Sequence, residues 1–156
     1  MKIDIICVGK IKEKYYRDAV SEYEKRLLRY ASLNILEVAD EKTDEKASEG
    51  EKDRILSTEA DRILKYIKED AYVITLEIEG NEYSSTELAD KIKALMVNGV
   101  SHIQFVIGGS LGLHKTVTDR GDMHLSFSRF TFPHQLMRVI LSEQIYRAMK
   151  INAGEP

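Results

Sequence analysis

The chain has 156 residues, 43% of them hydrophobic and 31% charged, with a formal net charge of −3. This size and balance predict one soluble globular domain over 1–156 and argue against a generic nucleic-acid binder. No apolar run approaches ~18 residues and Asp4 interrupts the first one, so neither a membrane span nor a secretory signal is expected.

Lys2 to Val8 (KIDIICV) is β-branched and apolar and predicts a strand ending at Gly9. A helix follows from about Glu13 to Tyr30, because Tyr16, Val20, Tyr23, Leu27 and Tyr30 fall on one face at helical spacing. Leu33 to Ala39 alternates and reads as a second strand. Asp40 to Asp53 is charged and almost free of large apolar residues, which predicts a mobile loop over 40–53. Helix is expected from Arg54 to Lys68 with Ile55, Ile63, Leu64 and Ile67 inward, then a strand from Tyr72 to Ile78 stopped by Gly80. Ser84 or Ser85 can cap a helix running to Val97, with Leu88, Ile92, Leu95 and Met96 as its buried stripe. His102 to Ile107 lacks alternation, as expected of a strand covered on both faces. A short helix near Lys115 to Arg120, a last strand from Leu125 to Ser128 and a long helix from Pro133 to about Ile151 complete the order. Strands alternating with helices predict an α/β fold, a mostly parallel sheet covered by helices on both faces, with a flavodoxin-like layer as the default. Ligands in such sheets sit at the carboxyl ends of strands, here Gly80, Gly108 and the loop after Ser128.

Three features carry candidate chemistry. In FVIGGSLGL (Phe105 to Leu113) a buried strand runs into three glycines within five residues, which suits either a tight turn or close approach of a small molecule to the main chain. It is neither GxGxxG nor a P-loop. In LSFSRFTFPH (Leu125 to His134) the residues before Pro133 must be extended, giving a stiff loop whose phenylalanines either enclose a flat ring or fill the core. The final helix is apolar nearly all round, which predicts burial against both its own sheet and a second subunit, with Ile140, Leu141, Ile145 and Met149 among the candidates for that contact. Its Arg138 and Arg147 suit bidentate phosphate or carboxylate contact, or pairing with an acid such as Glu143.

Charge is uneven. Asp40 to Asp70 holds 11 acids and 7 bases, whereas His114 to Lys150 holds 6 bases and 3 acids, so the basic C-terminal third either faces an anion or is an ordinary solvated surface. The single cysteine, Cys7, cannot form an internal disulfide, reads as an inert small hydrophobe, and points to a reducing, cytoplasmic setting. No Cys cluster or His spacing suggests a metal.

VGKIKEKYY (Val8 to Tyr16), ITLEIEG (Ile74 to Gly80), FVIGGSLGLHK (Phe105 to Lys115) and above all LSFSRFTFPHQLMRVILSEQIYRAMKI (Leu125 to Ile151) resemble the RlmH (OrfX or YbeA-like) family of SPOUT-class methyltransferases over essentially the whole chain. The resemblance implies a C-terminal trefoil knot, a homodimer, and S-adenosylmethionine-dependent methylation of N3 of a pseudouridine in large-subunit ribosomal RNA on the assembled ribosome, with no membrane or DNA partner. It implies cofactor contacts at Leu76, Gly108 and the run Phe127, Ser128, Arg129, Phe130, Thr131 and Phe132. It implies a catalytic role for Arg147 in handling the RNA base, and RNA contacts at Arg138, His134 and Lys115. Members commonly carry a Tyr-His tail after Gly-Glu-Pro, where this sequence reaches Gly154-Glu155-Pro156. The alternatives are a non-catalytic ribosome-binding protein lacking that tail and a flavodoxin-like nucleotide-binding enzyme.

Overall fold

The computed structural model describes residues 1–156, in which five strands and five helices alternate. They are β1 (Lys2–Val8), α1 (Lys14–Leu27), β2 (Ser32–Val38), α2 (Glu49–Leu64), β3 (Tyr72–Glu82), α3 (Ser85–Val97), β4 (His102–Ile107), α4 (Lys115–Arg120), β5 (Met123–Ser126) and α5 (His134–Asn152). All strand pairs are parallel, in the order β2-β1-β4-β3-β5. Parallel neighbours need crossovers, and crossovers are right-handed. The chain reverses direction across the sheet at each step of this order, so successive helices fall on alternate faces. The α1, α3 and α5 helices cover one face, with α5 between the other two, and α2 and α4 cover the opposite face. No helix is long and apolar enough to cross a membrane.

The α/β sheet with both faces covered is as expected, but the flavodoxin-like order is not. There β5 would pair with β4; here β4 lies inside β3 and β5 pairs with β3. The chain leaving β4 therefore passes beyond β3 to the sheet edge and must return across the strand ends to reach α5.

The period of two along β1 builds both cores. Ile3, Ile5 and Cys7 face α1, α3 and α5, packing with Phe105, Ile92, Leu141 and Ile145, while Ile6 and Val8 face α2 and α4, packing with Ala60, Ile63 and Val117. Burial pushes the Cys7 thiol up to about 12, so it stays protonated and unreactive. Asp4 lies on the α2 side, where its carboxylate accepts from Gln104 Nε2 at 2.9 Å and pairs with His102 Nε2 at 2.6 Å. That gives His102 a structural partner.

Several boundaries differ from expectation: α1 ends at Leu27, α2 at Leu64 and β5 at Ser126, each earlier than expected, and four other differences have a local reason. The segment 40–53 is not loop throughout, because Ser48 Oγ accepts from Glu51 N at 3.2 Å and Glu49 and Glu51 favour the first turn of α2. The β5 strand begins at Met123, since Asp122 exchanges two bonds with Val73, its N donating to Val73 O at 2.7 Å and its carboxylate accepting from Val73 N at 2.8 Å. Pro133 is the N-cap of α5 and not its first turn, with φ −54° and ψ 138°. The β3 strand runs past Ile78 to Glu82 through a bulge, Leu76 and Asn81 both standing opposite Leu125. Gly80 permits it: a Cβ there would lie 2.8 Å from His124 O. Of the expected α3 stripe, Met96 is exposed, while Leu88, Ile92 and Leu95 are buried.

The final helix also corrects an expectation. Leu141, Ile145 and Met149 are buried in the chain's own core, so they are not free to meet a partner. Of the four named residues only Ile140 keeps an exposed part, on a stripe with Leu136 and Val139. A charge at position 145 would therefore disrupt the monomer's core, and Ile140 is the position that reports on self-association.

Candidate active site

A cavity of about 870 Å³ opens at the carboxyl ends of β3, β4 and β5. Its volume lies in the ~300–1,000 Å³ range typical of small-molecule sites. Three stretches line it: the β3 bulge (Leu76 to Glu79), the turn after β4 (Ile107 to Leu113), and the loop between β5 and α5 with the first residues of α5, including His134 and Met137.

Each wall is fixed by local chemistry. After β4, Gly112 N donates to Gly109 O at 3.1 Å, and Gly112 takes φ +85°, a region open to glycine at little cost. This folds Gly109 to Gly112 back under Gly108, whose position is so crowded that an added Cβ would lie 2.4 Å from Gly112 O and 2.6 Å from its carbon. The glycine at 108 is thus required by the turn itself and not only by an approaching ligand. In the second wall Ser126 Oγ donates to Ile78 O at 2.8 Å, tying the β3 bulge to the end of β5. In the third, Phe130 N donates to Ser128 Oγ at 3.0 Å, and the loop bends at Arg129 and Phe130, so it is not extended throughout as expected. The Phe130 ring stays 77% exposed, too open for a core side chain and placed at the cavity's edge.

Leu76, Gly108, Phe127, Ser128, Phe130, Thr131 and Phe132 all come together around this one cavity. Arg129 does not line it; its side chain is exposed on the outside of the same loop. His134 lines it too. Burial, reinforced by the Arg138 guanidinium, holds the His134 ring below its ordinary value of 6.5, so it is neutral at pH 7. His134 Nδ1 is enclosed without a hydrogen-bond partner, which leaves Nε2 as the nitrogen a ligand can reach.

The other expected residues lie elsewhere. Arg138 is 1% exposed, donating to Glu37 Oε2 at 2.6 Å and to Gly9 O at 3.1 Å. A guanidinium enclosed in this way presents nothing to an RNA, so its role in this chain is to hold the ends of β1 and β2 against α5. Lys115 is exposed at the start of α4, pairs with Asp119 at 2.6 Å and does not reach the cavity. Arg147 sits almost four turns along α5 from His134, roughly 20 Å at 1.5 Å per residue, and pairs with Glu143 at 2.8 Å. Within one subunit it is remote from the cavity.

Glu77, Glu79, Thr118 and Met137 line the cavity and were not anticipated. Gly80 just beyond a strand was the available signal for the first two. Glu77 pairs with His124 Nδ1 and accepts from Thr75 Oγ1 at 2.6 Å, beside a polar hollow that also holds Glu79, Asn81 and Asp119.

The cavity suits a ligand with a flat heterocycle and polar ends. Apolar residues Leu76, Ile107, Leu125 and Phe127 line it together with the glycine turn 108–112, and Glu77 and Glu79 add acidic residues to its lining. S-adenosylmethionine has this make-up.

Comparison with known proteins agrees. Residues 1–156 match the family model described as "Predicted SPOUT methyltransferase". A Bifidobacterium adolescentis protein named ribosomal RNA large subunit methyltransferase H is 62% identical over 156 residues, covering 100% of this chain and 98% of that protein. A Bifidobacterium animalis subsp. lactis protein of the same name is 58% identical over 156 residues, with the same coverage of both chains. Among solved structures, one titled as a probable methylase family protein from Haemophilus influenzae Rd KW20 is similar with TM-score 0.56 at 15% identity, over 97% of this chain and 68% of that one. The match along the whole sequence, with relatives this similar, places the chain in the SPOUT methyltransferase family.

Proposed function

We propose that this chain is a single-domain, cytoplasmic, S-adenosylmethionine-dependent methyltransferase that modifies N3 of a pseudouridine in large-subunit ribosomal RNA on the assembled ribosome, working as a homodimer. The observation that carries the reading is the convergence of Leu76, Gly108 and the 127–132 loop on one cavity of ligand size. The names of the similar Bifidobacterium proteins supply the substrate class. The strand order disfavours a flavodoxin-like nucleotide-binding enzyme, and the pairing of β5 with β3 suits the trefoil knot of the family.

The turn at 108–112, Leu76 and the 127–132 loop would hold the cofactor, which supplies an activated methyl on a sulfonium. The protein's contribution is alignment and water exclusion, worth several orders of magnitude. N3 must also lose a proton. His134 Nε2, on a ring whose pKa is lowered, is the accessible nitrogen at the cavity and the acceptor we assign to that proton. Arg147 cannot take that proton, being permanently charged. Lying remote from its own cavity, it acts on the base only where a second subunit presents it, with Leu136, Val139 and Ile140 as apolar surface for that contact.

Proton acceptance by His134 sets the pH dependence. Below its pKa the ring already carries a proton and cannot accept another. The methylation rate should therefore fall on acidification through an inflection below 6.5 and stay flat above it. His134→Gln should lower kcat by about 10²–10⁴-fold and remove the inflection. An inflection unchanged in that variant would assign the proton to another group.

A further inference from the structure

We infer that the exposed segment Lys10 to Arg17 is a docking surface for RNA backbone at the mouth of the cavity. The inference rests on the functional reading above and adds where the RNA is gripped.

A chain of net charge −3 needs a local cationic surface to approach a polyanion. The expected source, the basic C-terminal third, is largely neutralised in the fold. Lys115 pairs with Asp119, Arg138 with Glu37 and Arg147 with Glu143. Arg120 pairs with Asp122 and donates to the carbonyls of Lys68 and Ala71, and Lys150 lies over the Tyr146 ring. Only Arg129 of that group is exposed without an acidic partner.

The segment after β1 is different. Lys10, Lys12, Lys14 and Arg17 are all exposed. Lys14 pairs with Asp18 at 2.8 Å, whereas Lys10, Lys12 and Arg17 have no acid within salt-bridge distance. Between them Tyr15 is 64% exposed and rests on Tyr16 with ring centroids 4.5 Å apart. Unpaired cations with an open aromatic ring are what single-stranded RNA binds, by phosphate contact and by stacking.

Position joins this segment to the cavity. Ile11 anchors it in the core, and Lys12 N donates to Gln135 Oε1 at 3.0 Å, beside His134. Gly9 lies beside the His134 ring and the Asp40 side chain: an added Cβ would be 3.4 Å from His134 Cε1 and 4.0 Å from Asp40 Cβ. The Lys12 charge is near enough to contribute to the lowered pKa of His134. A strand held by phosphate contacts at Lys10 and Lys12 would thus present its base at the opening where His134 stands.

The test is the salt dependence of ribosome binding by Lys10→Gln/Lys12→Gln, with S-adenosylmethionine affinity measured on the same preparation. Loss of two phosphate contacts should weaken binding about tenfold or more at 0.15 M salt and flatten the slope of log Kd against log salt by roughly 1.4–1.8. Cofactor affinity should be unchanged, which shows the fold is intact. Tyr15→Ala should weaken binding without changing the slope. A double variant with wild-type affinity and slope would overturn the inference. If the wild-type chain neither binds nor methylates ribosomes, the functional reading falls first; if it does both and the variant matches it, only the docking surface falls.

Discussion

Replacing Gly108 by alanine should abolish measurable S-adenosylmethionine binding, with a loss of at least 100-fold in Kd, or about 2.7 kcal/mol. A single methyl suffices because its neighbours at 2.4 and 2.6 Å are the oxygen and carbon of Gly112, backbone atoms that cannot swing aside as a side chain would. The turn from Gly109 to Gly112 must open, carrying the cavity wall with it. Gly108→Val should do no more than complete the same damage. Were the glycine needed only to let the ligand approach, alanine would be tolerated and valine would not. Titration calorimetry on both variants decides between these, and an alanine variant binding within threefold of wild type would refute the turn-based account. Thermal unfolding should show only a modest shift for either, since the loop lies outside both cores.

The second large effect is on stability and is asymmetric. Glu37→Gln should cost about 3–5 kcal/mol, because it leaves the Arg138 guanidinium, 1% exposed, without its counter-charge. Arg138→Met should cost less, about 2–3 kcal/mol, because the carboxylate it abandons is 37% exposed and can turn to water, leaving chiefly the Gly9 carbonyl unsatisfied. The double variant should be no worse than Glu37→Gln alone. Urea unfolding of the three proteins measures this; equal costs for the two single changes would contradict it.

How far the sequence could be read depended on whether the deciding contacts were local. The strands Lys2–Val8 and His102–Ile107 and the helix Lys115–Arg120 match their patterns to the residue, since apolar runs and turn glycines bound them. The capped start of α3 was legible to within one residue: of Ser84 and Ser85 it is Ser84 that caps, its Oγ accepting from Glu87 N while the Glu87 carboxylate accepts from Ser84 N. The early start of α2 was hidden by its charge, which resembles loop composition until Ser48 is seen to cap it. Strand order was not legible at all. It depends on which strand Met123–Ser126 finds, and that pairing rests on Asp122 meeting Val73 far away in sequence.

The candidate site divides in the same way. Gly108 and the 127–132 loop were visible because glycines and a proline constrain backbone wherever they stand. For Arg138 the pattern left phosphate contact and pairing with an acid both open, because an arginine on a helix looks identical whether it faces solvent or a glutamate, and the fold pairs it with Glu37. Counting bases from His114 to Lys150 located charge along the chain but not its partners, most of which are acids brought close by the fold.

The most direct test supplies ribosomes and S-adenosylmethionine labelled in its methyl group, then digests the large-subunit RNA and identifies the labelled nucleoside by mass spectrometry. The account predicts one label per ribosome, on N3 of a pseudouridine, appearing with the wild-type chain and absent with Gly108→Ala. Ribosomes that gain no methyl from a wild-type protein that binds the cofactor, or a cavity that takes FMN or ATP and refuses S-adenosylmethionine, would contradict it.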